Sequence, residues 1–531
     1  MPRLCLTLCL VLLAGFAVRA DSPIPRWARW EGTLTAKQPT DWRTEVVVTF
    51  TSPSGKVQSS RGFWDGGLVW KVRFRPDEKG TWRWRSSCQA ERSGLDGQSG
   101  SFECVEQPGN NPLLRHGPVR VAGTYLAHAD GTPFFWLGDT VWMGPALSTV
   151  EDWNTFLDLR RKQRFSVIQY NALSPWRAAP TDLEGRVAFT GRKDVQIQPE
   201  YFRRLDARID AINARGLLGA HVLIWALTPR DPGNYLPEED VLALIRYQLA
   251  RYGAHHLVWI LAGDNHYNQP DRWKRLGRAA FGSGTTAPVT AHPTGMNWPW
   301  ESWRDEKWLT LLGYQSGHGD DANTLRWIHS GPVSQSKPWT PPRPILNLEP
   351  PYEDHRAYQS RKPHSAYNVR RAIYWSLLNQ PTAGVTYGVH GVWSWATVEG
   401  QVPPDHPGSG VARPWRQAVK LPGNAQMSHL ADLFTSLKWW QLRPAQALLA
   451  EQPGGSDPAR FVAVGASSEA AVLYLPVGGT VRLAAGRPEA KWPAQWFDPR
   501  TGKRQPASST QGTFQAPDAQ DWVLVLSHER P

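Results

Sequence analysis

Eight apolar, strand-like runs recur between residues 133 and 395, and helical or loop segments separate them. One helix is predicted after Pro199, where Phe202 and Ile209 share a face and Gly216 ends the pattern. The runs are PFFWLG (133–138), FSVIQYN (165–171), LLGAHVLIWA (217–226), LVWILAG (257–263), APVTA (287–291), WLTLLGYQ (308–315), RPILNL (343–348) and GVTYGVHGVWSW (384–395). Eight such strands over about 260 residues match the size of an α/β fold, the (β/α)8 TIM barrel. A doubly wound open sheet is the alternative, but WLGDTVW is not the Gly-rich turn that usually follows its first strand.

Short alternating strands flank this region on both sides. The strands EVVVTF, VWKVRFR and TWRWR, separated by turns, predict an N-terminal Ig-like β-sandwich over residues 21–112. In VWKVRFR, Trp70, Val72 and Phe74 are predicted to face the core, and the three basic residues between and after them to face outward. The strands RFVAVGA, AAVLYLPV and DWVLVLS predict a C-terminal β-sandwich over residues 428–531, which leaves 113–427 for the barrel.

The first twenty residues read as a secretory signal peptide. Arg3 precedes an apolar stretch over residues 4–17, and Val18 and Ala20 are small residues that suit cleavage after Ala20. The stretch is shorter than the ~20 residues that span a bilayer, and no later segment is long and apolar enough to do so. We therefore predict a secreted or periplasmic protein without a membrane span.

Two cysteines remain after removal of the signal peptide, which carries Cys5 and Cys9. In an oxidising compartment Cys88 and Cys104 are predicted to form one disulfide. The alternative is a pair of free buried thiols.

The net charge of +12 raises the question of a polyanionic partner. The basic residues are dispersed, and the densest cluster, RRKQR at 160–164, ends a helix-like segment and fits a solvated helix face. We therefore expect no nucleic-acid partner, whereas an acidic polysaccharide is compatible with the charge. The 29 tryptophans are compatible with sugar stacking as well as with filling the core.

Polar and aromatic residues follow the eight runs, at the end of the barrel where active sites lie. Two carboxylates, Asp264 after run four and Glu349 after run seven, are predicted to face each other across the barrel. Such a pair cleaves glycosidic bonds, because one group protonates the leaving oxygen while the other attacks the anomeric carbon or activates water. Partial burial would raise one pKa for the acid role. As alternatives, Asp264 is a helix cap or ion-pair partner, and Glu349 pairs with Arg343 or Arg356.

Seven further residues are predicted to shape a sugar subsite. For Asp139 the alternative is an ion pair that fixes the barrel rim through an arginine, and for the two histidines it is rim packing. Trp393 is predicted to belong to the core instead. The seven are Asp139, Trp142, Trp225, His292, Gln315, His318 and Trp395.

Other chemistries lack their motifs in this sequence. Neither HEXXH nor a Cys pair with zinc spacing occurs, the segments YQSGHG and FGSGT do not match G-x-S-x-G, and no Walker-type phosphate loop is present. We therefore predict no metal site and no organic cofactor.

Six segments resemble, in order, the motifs of the apiosidase-like glycoside hydrolases: FFWLGDTVW, VWILAGDNHY, TAHPTG, YQSGH, LNLEPPYE and GVWSW. The N-terminal region is similar to the β-sandwich that often precedes this barrel. The last ~100 residues, with WFDPRTG and DWVLVL, are similar to a module named for collagen binding. We do not take that name as support for collagen as a partner.

The resemblance implies a retaining glycosidase, with the acid/base at Asp264 and the nucleophile at Glu349. Relatives in the wider clan usually have Asn-Glu after strand four, whereas this chain has Gly263 and Asp264, a shorter acid. Apiose release from plant cell wall pectin is the activity that names the family, but a barrel hosts many specificities through its loops.

We interpret the chain as a secreted glycoside hydrolase that acts on a carbohydrate substrate by double displacement. The alternative is a non-catalytic carbohydrate-binding or surface-adhesion protein on a degenerate barrel. Placement of Asp264 and Glu349 at opposite ends of the barrel would remove the enzymatic mechanism.

Overall fold

The computed structural model describes residues 22–106, 109–282 and 284–528. The predicted signal peptide, with Cys5 and Cys9, lies outside the described residues. Within them, no helix is both long and apolar enough to cross a membrane.

Eight parallel strands form the central barrel, as the apolar runs predict. The strands are β11 (Trp136–Thr140), β12 (Val167–Asn171), β15 (Leu218–Val222), β16 (Leu257–Ile260), β17 (Val289–Thr290), β18 (Leu312–Gln315), β19 (Ile345–Glu349) and β20 (Gly384–Gly388). Their order around the barrel is β17-β16-β15-β12-β11-β20-β19-β18. The two end strands are joined by hydrogen bonds from Leu311 N to Val289 O (3.0 Å) and from Gly313 N to Thr290 Oγ1 (2.9 Å).

Helices surround the barrel and pack their apolar faces on it. In the helix that begins at Pro199, the residues predicted to share a face, Phe202 and Ile209, are fully buried. The helices are α1 (Pro112–Arg115), α2 (Gly144–Leu147), α3 (Val150–Lys162), α4 (Pro199–Ala214), α5 (Pro232–Tyr235), α6 (Glu238–Tyr252), α7 (Pro270–Phe281), α8 (Ala322–Ser330), α9 (Pro332–Gln335), α10 (Ala366–Leu378), α11 (His390–Trp393), α12 (Trp415–Ala418) and α13 (Pro422–Thr435).

The N-terminal domain is a β-sandwich around a tryptophan-rich core. Its strand β4 pairs with β3 through residues 57–61 and then with β5 through residues 62–64, so the chain crosses between the two faces. The strands are β1 (Ile24–Pro25), β2 (Trp30–Thr35), β3 (Val46–Thr51), β4 (Val57–Trp64), β5 (Val69–Phe74), β6 (Gly80–Cys88) and β7 (Ser99–Val105). Trp30, Phe50, Trp70 and Trp82 fill the space between the faces.

Two small sheets accompany the barrel, and a second β-sandwich follows it. The small sheets are β8 (Val119–Ala122) with β9 (Tyr125–His128) and β10 (Pro133–Phe134), and the hairpin β13 (Phe189–Thr190) and β14 (Gln196–Ile197). The C-terminal strands are β21 (Arg443–Pro444), β22 (Ala463–Ala466), β23 (Ala470–Leu475), β24 (Thr480–Arg482), β25 (Ala494–Phe497), β26 (Arg504–Pro506), β27 (Ser509–Thr510), β28 (Thr513–Gln515) and β29 (Trp522–Ser527). They form a six-stranded and a three-stranded sheet. The boundaries predicted at residues 112 and 427 stay predictions, and α13 runs across the second.

The outer face of β5 is only partly exposed to solvent, whereas the sequence predicts that its basic residues face outward. Arg73 is buried because its guanidinium donates to both carboxylate oxygens of Asp206 on α4, at 3.0 and 2.7 Å. Arg251 on α6 donates to the same carboxylate and, at 2.8 Å, to Asp65 of the N-terminal domain. A buried network of charges therefore fixes the N-terminal domain to the barrel.

A second buried ion pair holds the C-terminal domain. Arg370 on α10 donates two hydrogen bonds of 2.6 Å to Asp521, which also accepts a 3.0 Å hydrogen bond from Tyr474. Fork-to-fork geometry of this kind restricts orientation as well as distance. Both flanking domains are thus oriented on the barrel by charged side chains removed from water.

The predicted disulfide is wrong, since Cys88 and Cys104 are free thiols within the described part of the chain. Cys104 lies opposite Gly80 in the β6–β7 pair, whereas Cys88 ends β6 eight residues away. At about 3.3 Å per residue, this separation is about 26 Å, far beyond the ~7 Å between Cα atoms that a disulfide tolerates. The register of a strand pair, which sequence spacing does not reveal, decides the outcome.

Removal of one partner from the interface network is expected to destabilise the fold. Arg251→Met removes the buried cation shared by Asp65 and Asp206 and leaves only partly exposed cations on Asp65, so we predict a loss of about 2–4 kcal/mol in the free energy of unfolding. Urea denaturation measures it. The matched control is Arg275→Met, which removes an exposed ion pair with Glu238 and should leave the unfolding midpoint unchanged. Equal midpoints for the two variants would contradict a stabilising role for the network.

Candidate active site

A pocket of about 270 Å³ opens at the C-terminal ends of the barrel strands and contains both predicted carboxylates. Asp264 and Glu349 therefore lie at the same end of the barrel, as a shared reaction centre requires. The other lining residues are Trp142, Trp176, Arg177, Trp225, Leu227, His266, Thr294, Gly295, Gln315, His318, Tyr352, His355, Tyr358, Trp393 and His406.

Asp264 follows β16 in a tight turn with left-handed backbone geometry (φ 55°). The preceding Gly263 is required there, because a Cβ atom on it would lie 2.4 Å from the ring of Trp225. Asp264 Oδ1 accepts a 2.5 Å hydrogen bond from Gln315 Nε2. The helix-cap alternative does not apply, since the N-cap of α7 is Gln269.

Glu349 ends β19 among hydrogen-bond donors and imidazoles. His318 Nε2 donates to its Oε1 at 3.0 Å, and His292 Nε2 lies 3.3 Å from its Oε2. The backbone N–H of Tyr352 donates to His318 Nδ1 (3.3 Å), so the ring proton of a neutral His318 is on Nε2, facing the carboxylate. The alternative ion pair with Arg343 does not form, because that guanidinium donates to backbone oxygens of residues 304 and 306.

The surroundings of the two carboxyl groups shift their pKa values to different extents. Burial, reinforced by the negative charge of Glu349, raises the pKa of Asp264 to about 8. Burial also raises the pKa of Glu349, but His292 and a hydrogen bond with Tyr352 oppose the shift. Burial holds the pKa of His318 well below its usual value, so this ring is neutral. Near neutral pH the pair therefore holds one proton, and the environment favours its location on Asp264.

Aromatic rings form one wall of the pocket. Trp142 packs edge to face against Trp225 at 5.1 Å and against His292 at 5.4 Å. Its Nε1 donates to Tyr352 Oη at 3.1 Å, while Nε1 of Trp225 is buried and finds no hydrogen-bond partner among the residues that the structure describes. Indole faces of this kind suit the apolar face of a sugar ring.

The loop between α11 and α12 also contributes to the lining. Its residue His406 accepts a 2.6 Å hydrogen bond from Nη2 of Arg177, whose Nη1 donates to Asp405 O at 3.3 Å. Arg230 forms an ion pair with the Asp405 carboxylate at 2.8 Å. The loop is thereby attached to the segment after β12 and to the segment after β15.

Most of the predicted subsite residues meet at the pocket. Trp142, Trp225, Gln315 and His318 line it, and His292 lies directly behind Glu349.

Asp139 and Trp395 lie elsewhere, contrary to the prediction. Asp139 is fully buried, and its Oδ2 accepts a 2.6 Å hydrogen bond from Arg160 on α3, so it fixes the rim as its alternative proposed. Trp395 stacks on Trp415 at 4.9 Å inside the core. Trp393 belongs to the buried core, as predicted, and it also lines the pocket.

Several lining residues escaped the sequence analysis because they come from loops. Arg177 and His406 are 229 residues apart along the chain, and no periodicity connects them. His406 lies within a Pro/Gly-rich stretch, VPPDHPGSG. It is the one histidine of that stretch, and this is the feature that could have indicated a site residue there. Tyr352, His355 and Tyr358 follow Glu349 in the loop after β19, where the position after a strand end could have indicated them.

Asp264→Asn is expected to stabilise the protein at alkaline pH. A carboxyl group with a raised folded-state pKa contributes stability below its unfolded pKa of about 4 and loses that contribution as pH rises through the folded value. Asparagine carries no charge and tolerates left-handed geometry. We predict that the melting temperature of the variant exceeds that of the wild type by about 2 °C or more near pH 8, and by less near pH 5. Calorimetry measures the difference.

The control is Asp305→Asn at an exposed position, which should show no such pH-dependent gain. A constant difference between Asp264→Asn and wild type across this pH range would contradict the raised pKa.

Three family profiles match consecutive parts of the chain. The profile described as "Apiosidase-like, catalytic domain" matches residues 121–441. A domain of unknown function (DUF5060) matches residues 23–89, and the "Putative collagen-binding domain of a collagenase" matches residues 443–527. A search of the curated proteins found no match.

Solved structures share the fold. A structure described as a glycoside hydrolase is 22% identical, covers 79% of this chain and 98% of its own, and has a TM-score of 0.68. A glycoside hydrolase family 5 protein from Bacteroides vulgatus is 22% identical over 79% of this chain and 95% of its own, with a TM-score of 0.69. Because the catalytic-domain profile covers more than half of the chain, the protein belongs to the apiosidase-like family of glycoside hydrolases.

Proposed function

We propose that the protein hydrolyses a glycosidic bond with retention of anomeric configuration, with Asp264 as general acid and base and Glu349 as nucleophile. The observation that carries the proposal is the burial of both carboxyl groups in one pocket, with the pKa of Asp264 raised and Glu349 among hydrogen-bond donors. This asymmetry supports the division of roles, since glycosidases need one protonated and one ionised carboxyl group.

In the first step Glu349 attacks the anomeric carbon while the bond to the leaving oxygen breaks. The proton of Asp264 passes to that oxygen, so the leaving group departs as a neutral alcohol. The hydrogen bond from His318 orients the attacking carboxylate. The products are a glycosyl ester on Glu349 and an ionised Asp264.

In the second step water replaces the ester. Ester formation removes the negative charge of Glu349, which is one cause of the raised pKa of Asp264. The pKa of Asp264 therefore falls at the stage when Asp264 must act as a base. Asp264 accepts a proton from water, the water oxygen attacks the anomeric carbon, and Glu349 leaves as a carboxylate. Asp264 is again protonated, and the cycle is complete.

We propose a poly- or oligosaccharide as substrate, with plant cell wall and pectin-type polymers as the first to examine because of the family. The indole wall of Trp142 and Trp225 would contact the apolar face of a sugar ring, and Arg177 and Gln315 would meet its polar groups.

A polysaccharide screen with paired glutamate variants tests the proposal. Glu349→Gln keeps the shape of the side chain but removes the nucleophile, so we expect kcat/KM to fall on the order of 10³-fold or more on any polymer that the wild type cleaves. The matched control is Glu353→Gln, four residues away, where the buried carboxylate accepts from Gly423 N and Tyr387 outside the pocket. It should retain activity within a few-fold of the wild type.

Undiminished hydrolysis by Glu349→Gln would exclude Glu349 as nucleophile. Carbohydrate binding by the wild type without cleavage of any polymer would instead favour a non-catalytic carbohydrate-binding or surface-adhesion protein.

We propose further that residues 1–20 direct export and are removed after Ala20, which gives a secreted or periplasmic enzyme. Mass spectrometry of the exported protein should find Asp21 as its first residue. An exported chain that retains Met1 would contradict this cleavage.

A further inference from the structure

A cleft of about 550 Å³ lies between the N-terminal domain and the barrel. Gly253 and Ala254, which line it, precede β16, and Thr285 and Thr286 precede β17. These positions are at the N-terminal ends of the strands, whereas the active-site pocket is at the C-terminal ends. The interdomain cleft is therefore separate from the active site.

The lining of the interdomain cleft is strongly basic. Arg75, Arg120 and Arg246 line it, and none has an ion-pair partner among the described residues. Asp77 is the one carboxylate in the described lining, and it is bound by Lys56 at 3.1 Å and by Gln58 at 2.9 Å. The three guanidinium groups thus lack an ion pair, and the negative charge of Asp77 offsets that of Arg75 only in part.

Arg75 is the most constrained of the three. It is half-buried, and its Nη1 donates to His255 O at 2.8 Å. Burial and the positive charge of Arg120 lower the pKa of Arg75 to about 10. Removing a cation from water beside a second cation costs free energy, and a bound anion would offset that cost.

The edge of a β-strand in the cleft fits a sugar chain. Gln58, Ser59, Ser60 and Arg61 all line it, and because consecutive strand residues point to opposite faces, the cleft follows an edge of the strand. Within the described chain, this half of β4 pairs with β3 alone. The hydroxyl groups of Ser59 and Ser60 and free backbone groups are thus available to sugar hydroxyls, and the half-buried indole of Trp27 offers a stacking surface.

We propose that the interdomain cleft binds an acidic polysaccharide, a linear chain with carboxylate or sulfate groups, as an accessory site remote from catalysis. The arginines bind the anionic groups, the edge of β4 binds hydroxyls, and Trp27 stacks on a ring. The net charge of +12 accelerates encounter with such a polymer. Binding in the cleft does not require that the catalytic proposal be correct.

Titration calorimetry with alginate, dextran sulfate and neutral dextran tests the site. The double variant Arg120→Ser/Arg246→Ser removes two exposed charges, and we expect its Kd for the acidic polymers to rise about fivefold or more, with a weaker dependence on salt. The matched control, Arg83→Ser/Arg85→Ser, removes two exposed arginines of β6 outside the cleft and should change Kd by less than about twofold. Hydrolysis of a small soluble substrate should be the same in both double variants.

The two acidic polymers distinguish carboxylate from sulfate as the preferred group, and either preference supports the site. Equal losses in the cleft variant and the control would assign binding to general surface charge and overturn the proposal. Neutral dextran binding as tightly as the acidic polymers would overturn it as well. Tighter binding of single-stranded DNA than of both acidic polymers would assign the cleft to nucleic acid instead.

Discussion

The burial of two carboxyl groups in one small pocket is the constraint around which the site is organised. Asp264 and Glu349 cannot both be ionised there at low free-energy cost, so the pocket holds one proton between them. The closed parallel barrel imposes this proximity, because it directs the ends of β16 and β19 to the same rim. Gln315 connects the two, since it lies beside Glu349 in the strand pair and donates to Asp264.

Rigid surroundings keep this pair in place. Gly263 allows Trp225 to pack against the turn that carries Asp264, and the backbone of Tyr352 sets the tautomer of His318. The flanking domains add buried ion pairs on α4, α6 and α10, which restrict movement of the barrel helices. Buried charged groups therefore have two roles in this protein. They form fixed ion pairs between the domains, and they form the titrating pair of carboxyl groups in the pocket.

The barrel and its carboxylates were predictable because they depend on local patterns. Buried parallel strands require apolar runs, and a residue directly after a run must face the rim, which located Asp264 and Glu349. Contacts between distant segments were not predictable. Arg177 donates a hydrogen bond to His406 in another loop, and Asp139 accepts one from Arg160. The same limit applies to Cys88 and Cys104, whose separation depends on strand register.

Difference infrared spectroscopy of the wild type against Asp264→Asn is the most direct measurement of the central claim. The stretching band of a protonated carboxylic acid, present in the wild type and absent from the variant, should persist at neutral pH and disappear near pH 8. Disappearance of that band by about pH 5, near the ordinary range of an aspartyl group, would contradict a shared buried proton and with it the division of roles between Asp264 and Glu349.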